Sequence, residues 1–158
     1  MNNEFMEKID LAISESSKPV IIEGNVGDGK VNYIRSKYET IICSMPFFAE
    51  NLIGQSFGET RVSPDWYKDL CELCAKNQEK RCLIVFDELD KAKKEDVSTL
   101  LEEVVFNQKN TFPLPSNAEI VCMLNAGYEN TELGSVLQNY LQDFTVVIGR
   151  DELAAKRR

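Results

Sequence analysis

A glycine-rich segment that ends in a lysine is the part of this sequence best suited to chemistry. It fits the spacing Gly-x-x-x-x-Gly-Lys, with one further glycine inside the pattern. Glycines let the backbone curl so that successive N–H groups point inward, and the ammonium group of Lys30 adds a mobile cation for the β and γ phosphates. We therefore expect this segment to bind phosphate groups, with a plain strand-to-helix turn as the alternative. The residues concerned are Gly24, Asn25, Val26, Gly27, Asp28, Gly29, Lys30 and Val31.

Two adjacent carboxylates form the second candidate site. Asp87 and Glu88 directly follow a short run of apolar residues, 83–86, which is typical of a buried strand. Beside a phosphate-binding loop, Asp87 is suited to hold the shell of a Mg²⁺ ion. Glu88 is suited to orient and deprotonate an attacking water. A solvated turn before a helix is the alternative interpretation of this pair.

The chain must fold so that these two segments meet. Short apolar β-rich runs alternate with longer amphipathic stretches, which predicts a parallel sheet covered by helices on both faces. Ligands of such sheets bind beyond the carboxyl ends of the strands. We expect strands at 19–23, 40–43, 82–86, 119–124 and 144–148, and helices at 1–16, 30–38, 64–77, 94–106 and 132–140. Residues 46–63 are expected to be part helix (49–53) and part loop, and 107–117 a loop or a small hairpin.

Composition limits the classes of function. The 158 residues predict one domain, with a charged tail at 151–158 after a core at 1–150. The sequence has no apolar run long enough for a membrane span and no secretory pattern at its start, so we expect a cytoplasmic protein. The net charge of −8 disfavours tight, non-specific binding of nucleic acid and makes it an unlikely partner, with a local basic patch left open. The absence of histidine excludes imidazole bases and histidine metal ligands.

The five cysteines favour reduced thiols over disulfides, because their number is odd and their spacing irregular. Cys71 and Cys74 have the Cys-x-x-Cys spacing of metal and redox sites. They fall on one face of an amphipathic stretch, where cysteine behaves as a small buried hydrophobic residue. A zinc site needs further ligands, and no second pair follows at a suitable spacing. Packing is therefore the favoured role, with metal or redox chemistry as the alternative.

The motifs and their order along the chain resemble the AAA+ ATPases, nearest to the MoxR-like and dynein-related branch of the P-loop NTPases. Residues 24–30 match the Walker A motif, and residues 83–88 match Walker B with Glu88 as its catalytic glutamate. The segments 89–92 and 112–121 are also similar, the latter to a hairpin that leads into the fourth strand. The resemblance covers roughly residues 18–148.

This resemblance implies a P-loop NTPase sandwich with five strands in the order 5-1-4-3-2. It also implies ATP and Mg²⁺ as cofactors. Asn125 falls where the family keeps its first sensor, a polar residue that positions the lytic water. On its own, an asparagine after a strand is more often a turn former. Relatives assemble into hexameric rings with ATP at the subunit interface, so a homo-oligomer is implied as well.

Three features depart from the family pattern. Val31 stands where a serine or threonine hydroxyl would ligate Mg²⁺, which predicts weakened metal-dependent hydrolysis. Asp143 stands where related proteins place a trans-acting arginine, and a carboxylate cannot stabilise a transferring phosphoryl group. Only ten residues follow Ile148, too few for the helical lid of the family, so we expect either a fragment or a lidless core.

Two functions remain open from the sequence. The first is an ATPase core, a hydrolase that couples ATP binding and hydrolysis to the remodelling of a protein partner. The alternative is a catalytically impaired nucleotide-binding or scaffold module that keeps the AAA+ fold. A P-loop kinase or a GTPase is a weaker option, because no Asn-Lys-x-Asp signature is present. The segments 55–63 and 107–117 are candidate contact surfaces for a partner.

Overall fold

The computed structural model describes residues 2–25, 27, 29–108 and 110–149 of the chain. Within these ranges the α-helices are α1 Asn3–Glu15, α2 Lys30–Lys37, α3 Ala49–Leu52, α4 Asp65–Lys76, α5 Lys94–Leu100 and α6 Glu132–Leu137. The strands are β1 Val20–Gly24, β2 Glu39–Cys43, β3 Gln55–Phe57, β4 Thr60–Val62, β5 Cys82–Phe86, β6 Ala118–Asn125 and β7 Thr145–Ile148. Short 3₁₀ turns occupy Leu89–Lys91, Tyr128–Asn130 and Leu141–Asp143.

The main sheet has five parallel strands in the order β2-β5-β6-β1-β7. The predicted α/β class, a five-stranded parallel sheet between helices, is confirmed. The strand numbers differ from the expected 5-1-4-3-2 because the hairpin β3–β4 lies between β2 and β5 in the chain. When the sheet strands alone are counted, the observed order is the expected one read from the opposite edge.

The sheet has an apolar layer on each face because successive strand residues point to opposite sides. On β5, Ile84 and Phe86 pack into one layer while Leu83 and Val85 pack into the other. Helices α4, α5 and α6 cover the first face, and α1 and α2 cover the second. Strands that are buried on both faces explain why the predicted strands read as continuous apolar runs.

A polar cluster around Asp10 joins α1 to α2, the helix that follows the phosphate segment. The carboxylate of Asp10 accepts hydrogen bonds from Tyr33 Oη at 2.6 Å, Tyr38 Oη at 2.7 Å and Lys37 Nζ at 2.5 Å. Burial opposes the charged form, yet these donors together lower the pKa of Asp10. The cluster therefore fixes the far end of α2 against α1.

One of the local expectations was wrong. Residues 55–63 form the antiparallel hairpin β3–β4 rather than a loop, with Gly58 at φ 63 in its two-residue turn. Arg61 fastens this hairpin to the body, since its guanidinium lies 3.0 Å from the carboxylate of the buried Glu103. The described residues between 107 and 117 contain no strand, which agrees with the loop expected there rather than with the small hairpin.

Two helices end earlier than expected. The predicted helix 94–106 is α-helical only to Leu100 and continues as a π-helical segment, Leu101–Val105. The predicted helix 132–140 ends at Leu137. Across the described residues, every helix is too short or too polar to span a bilayer. The charged tail expected at 151–158 lies outside the described residues.

Candidate functional site

The phosphate segment follows β1 and leads directly into α2, as predicted. Gly24 is the last residue of β1, and Gly29 caps the start of α2 with φ 83. Gly27 has φ 80, which is also left-handed. A residue with a β-carbon would lose roughly 1–2 kcal/mol in this conformation, so both glycines are required by the course of the backbone. Val26 and Asp28, which the sequence also assigned to phosphate binding, lie outside the described residues.

The sheet brings Asn125 next to this segment. Gly24 pairs with Asn125 in the parallel register of β1 and β6. The amide N–H of Ala126 donates to the carbonyl of Gly24 at 2.9 Å, just beyond the ladder. The carboxyl ends of the two strands are thereby held together, and Asn125 lies at the edge where the phosphate segment begins.

One cavity of about 250 Å³ gathers most of the predicted site residues. Its lining comprises Gly27, Gly29, Lys30, Val31, Asn32, Asp87, Glu88 and Asn125. The glycine-rich segment forms one side, and the residues after β5 and β6 form the other. Gly24 and Asn25 are not part of this lining. Asp143 is exposed and does not line the cavity either.

Lys30 enters the cavity from the first turn of α2. Its side chain is 7% exposed, and Nζ donates to the carbonyl of Asn25 at 3.4 Å. That long hydrogen bond holds the ammonium group over the phosphate segment. A buried cation beside curled backbone N–H groups is the arrangement expected for binding the terminal phosphates of a nucleotide.

Asp87 and Glu88 face Lys30 from the end of β5. The N–H of Asp87 donates to the carbonyl of Cys43 at 2.9 Å, which extends the β2–β5 pairing by one residue. Burial and the neighbouring negative charge of Glu88 raise the pKa of Asp87, while the attraction of Lys30 partly offsets this. The carboxyl of Asp87 is therefore short of positive charge, which is the condition that favours binding of a cation.

Glu88 has an unusual backbone conformation. Its φ of 55 lies in the left-handed region, where few residues other than glycine, asparagine and aspartate are found. Strain of this kind costs on the order of 1–3 kcal/mol and clusters at functional sites. The conformation lets the chain turn sharply after Asp87, so that two consecutive carboxylates both reach the cavity.

The side chain of Asn125 forms hydrogen bonds with two carboxylates, those of Glu88 and Asp90. Its Nδ2 lies 3.4 Å from Glu88 Oε1 and within 3.1 Å of a carboxylate oxygen of Asp90. Sequence reasoning proposed Asn125 and Glu88 but gave Asp90 no role. The Asp-Glu-Leu-Asp pattern was visible, yet only the fold shows that Asp90 reaches the end of β6.

The side chains around the cavity offer few ligands for Mg²⁺. In the part of the chain that the structure describes, no three acidic or cysteine side chains cluster as a metal site. Val31 lines the cavity and offers no oxygen ligand. Mg²⁺ is commonly held by one or two carboxylates, with phosphate oxygens and water completing its shell. Asp87 fits that role, so the residues suit an ion that arrives with a bound phosphate.

The Cys71–Cys74 pair is not suited to metal or redox chemistry. Cys74 belongs to the apolar layer beneath α4, and burial raises the pKa of its thiol to about 12. A protonated thiol is a poor nucleophile and a poor metal ligand.

A glycine-rich segment between β1 and α2 faces an acidic strand end across the cavity at the carboxyl edge of the parallel sheet, and this arrangement decides the class of fold. The fold is of the P-loop NTPase type. No protein-family model matches the chain, and no curated protein matches it.

Two solved structures similar to the chain are Pif1 helicases. One is unliganded Pif1 from Bacteroides sp., with 17% sequence identity and a TM-score of 0.49, covering 96% of this chain and 42% of that chain. The other is a structure of two coordinating Pif1 helicases that unwind DNA at forked dsDNA. It has 13% identity and a TM-score of 0.49, covering 96% and 44% of the respective chains. The chain spans less than half the length of these structures.

The expectation that nucleic acid is an unlikely partner is contradicted, because both structural neighbours are helicases and one of them unwinds DNA. The physical error lay in using net charge, which averages over the whole surface. A cleft of about 410 Å³ at the opposite end of the sheet is lined by four cations and a single acid, although Lys37 is paired with Asp10 and Arg81 with Glu119. Its charged residues are Arg35, Lys37, Lys80, Arg81 and Glu39.

Proposed function

We propose that the chain binds a nucleoside triphosphate, with ATP as the expected nucleotide, in the cavity between the phosphate segment and the acidic strand end. The observation that carries the proposal is the convergence of Lys30, Asp87, Glu88 and Asn125 on a single cavity. These residues come from α2, β5 and β6, elements far apart in sequence. Each side chain has a role in phosphoryl transfer to water, so their common location supports turnover as well as binding.

The roles follow from chemistry and position. Lys30 and the backbone N–H groups from Gly27 onward bind the terminal phosphates. Asp87 holds a Mg²⁺ ion that accompanies the nucleotide, and that ion neutralises charge on the phosphate oxygens. Glu88 orients a water molecule and accepts its proton, while the amide of Asn125 holds the carboxylate of Glu88.

Within the P-loop NTPases, we propose the AAA+ type, nearest to the MoxR-like branch, as the closer assignment. The motifs at 24–30 and 83–88 and the sensor position Asn125 support it. Remodelling of a protein partner by a ring of subunits is the activity that this assignment implies. Measuring particle mass with and without Mg-ATP tests the ring, and a mass that stays monomeric in both conditions contradicts it.

A specific observation favours one alternative, a nucleotide-binding module with little or no turnover. Val31 lines the cavity without an oxygen ligand for Mg²⁺, and an acidic side chain, Asp143, occupies the position of the expected arginine. Both changes remove contributions to hydrolysis but leave the phosphate cradle in place. This alternative predicts saturable ATP binding with no phosphate release.

Phosphate release with Mg-ATP separates the two functions. The wild-type chain is compared with Glu88→Gln, which keeps size and removes the base, and with Glu72→Gln, an exposed control on α4. Release that falls at least tenfold in Glu88→Gln and not in Glu72→Gln supports an ATPase. Binding without release in all three proteins supports the module. The assay is repeated with single-stranded DNA, because nucleic acid is no longer excluded.

Val31→Thr tests the missing hydroxyl. A threonine at this position supplies an oxygen near Asp87, so Mg²⁺-dependent binding or release should increase by about fivefold or more. The matched control is Val31→Ala, which removes bulk without adding an oxygen. An increase in both variants, or in neither, contradicts the account given for Val31.

A further inference from the structure

Asp90 is an acidic residue next to the site, and the proposed function gives it no role. It lies in the 3₁₀ turn Leu89–Lys91, two residues after Glu88, and it does not line the cavity. Its carboxylate instead meets the end of β6. The Oδ1 atom accepts from the backbone N–H of Asn125 at 3.1 Å and from its Nδ2 at 3.3 Å. The Oδ2 atom accepts from the same Nδ2 at 3.1 Å.

The 3₁₀ turn does not depend on this side chain. Its backbone closes on itself, through hydrogen bonds from Lys91 N to Glu88 O at 2.9 Å and from Ala92 N to Leu89 O at 3.0 Å. Among the described residues, the hydrogen bonds of the Asp90 carboxylate all come from Asn125. The carboxylate therefore acts between two elements, the turn after β5 and the end of β6.

A carboxylate in this position decides which way the Asn125 amide points. An ionised carboxylate only accepts hydrogen bonds, so it holds the amide nitrogen towards itself. The reversed amide would place its oxygen against two carboxylate oxygens with no proton between them. With the nitrogen held in this way, the same Nδ2 lies 3.4 Å from Glu88 Oε1 and donates towards it.

We infer that Asp90 is a positioning residue, which fixes the amide of Asn125 so that its nitrogen donates to Glu88 and holds that carboxylate at the cavity. The effect on turnover rests on the proposed function, but the effect on the amide of Asn125 does not. Asp90 does not line the cavity, and its hydrogen bonds reach only Asn125 among the described residues, so it acts through Asn125. The two consequences can therefore be measured separately.

The first measurement is the side-chain amide signal of Asn125 in ¹⁵N-labelled protein, assigned by its loss in Asn125→Ala. In Asp90→Ala the amide loses both Asp90 oxygens as acceptors and keeps only the 3.4 Å contact with Glu88, so the signal should shift and exchange with water about tenfold faster. Asp69→Ala, an exposed change on α4, should leave the signal unaltered. Asp90→Asn keeps the shape of the side chain, offers one acceptor in place of two, and should give an intermediate exchange rate. An unaltered signal in both Asp90 variants overturns the inference.

The second measurement is a double-mutant cycle on phosphate release. Asp90→Ala should lower kcat about tenfold with the KM for ATP within about twofold, because the nucleotide contacts remain. In the Asn125→Ala background, the same change should cost less than about twofold, since its only route of action is gone. Losses that multiply in the double mutant overturn the positioning role. A wild-type chain that releases no phosphate contradicts the proposed turnover, and the amide signal then decides the inference on its own.

Discussion

Two carboxyl groups, one buried and one half-buried, lie at opposite ends of the sheet, and they differ in what neutralises them. Glu119, near the start of β6, is 6% exposed and bonds directly to the guanidinium of Arg81. Asp87, just after β5, has Lys30 across a cavity and the like charge of Glu88 beside it. Burial raises the pKa of both groups, that of Glu119 to about 7 despite the attraction of Arg81.

This difference distinguishes a carboxylate that is paired within the protein from one that is proposed to bind a cation. At Glu119 the neutralising cation belongs to the protein and is in contact, so no external ion is needed. At Asp87 the protein supplies part of the positive charge and leaves space next to it. A carboxyl that is partly desolvated, incompletely paired and open to a cavity is suited to binding a cation from solution.

The largest expected effect is the loss of the cation that faces Asp87. Lys30→Ala removes charge-assisted hydrogen bonds to phosphate, each worth about 1.5–3 kcal/mol, so the affinity for ATP should fall about 10- to 100-fold. Titration calorimetry with ATP measures this. Lys68→Ala, an exposed lysine on α4, is the control and should bind like wild type. Equal affinity in Lys30→Ala removes the basis of the proposed nucleotide site.

The next effect concerns the paired carboxyl. The folded pKa of Glu119, about 7, is above its unfolded value, so the contribution of Glu119 to stability is complete below pH 4.5 and is lost as the pH rises to about 7. Glu119→Gln stays neutral and keeps an acceptor for Arg81. It should therefore match wild type near pH 4.5 and exceed it by on the order of 2 kcal/mol at pH 8, in urea unfolding.

The control for Glu119 is Arg81→Met, which keeps the apolar stem and removes the cation. Its stability should fall more steeply than that of wild type over the same pH range. A constant difference between Glu119→Gln and wild type from pH 4.5 to 8 would contradict the raised pKa of this carboxyl.

A smaller effect is expected at the open carboxyl. Asp87→Asn removes a charge that burial and Glu88 both disfavour, so the nucleotide-free protein should gain about 1 kcal/mol, or a Tm increase of about 2–4 °C at neutral pH. The same variant should respond less than wild type when Mg-ATP is added. Asp69→Asn serves as the exposed control. A nucleotide-free Tm at or below that of wild type would contradict the raised pKa of the Asp87 carboxyl.

The smallest effect concerns Asp10, whose contribution to stability is lost as the pH falls, the reverse of the pH dependence expected for Glu119. The pKa of Asp10 is lowered, so its contribution to stability is present above the unfolded value near 4 and is lost as the pH falls through the folded value. Asp10→Asn should cost about 0.5–1 kcal/mol at pH 7 and progressively less towards pH 3. Tyr38→Phe removes one of its donors and should show part of this loss. If the stability lost in Asp10→Asn grew as the pH fell, the lowered pKa of Asp10 would be wrong.

The fold could be predicted largely because its three central strands, β1, β5 and β6, are buried on both faces. An apolar run such as Cys82–Phe86 has few other stable locations, and its predicted bounds match β5. The hairpin β3–β4 was missed because its strands are three residues long and mostly polar. The signal that could have found it is Gly58 with Glu59, a two-residue turn between two short segments of β character.

The candidate site could be predicted only in part. Lys30 and the acidic pair follow from local motifs, since a loop and a strand end carry their own sequence patterns. The contact between Asp90 and Asn125 joins residues 35 positions apart, and no local pattern encodes it. The position of Asn125 depends on the register of β6 against β1, which the sequence alone does not specify.

The left-handed backbone at Glu88 makes this position informative about evolutionary history. A glutamate is strained there, whereas glycine or asparagine would adopt φ 55 more readily. In a lineage that had abandoned hydrolysis, replacement of this residue would relieve the strain and meet no selection against it. Related sequences with glycine or asparagine at this position are therefore expected to have lost hydrolysis. Those that keep glutamate are expected to retain it.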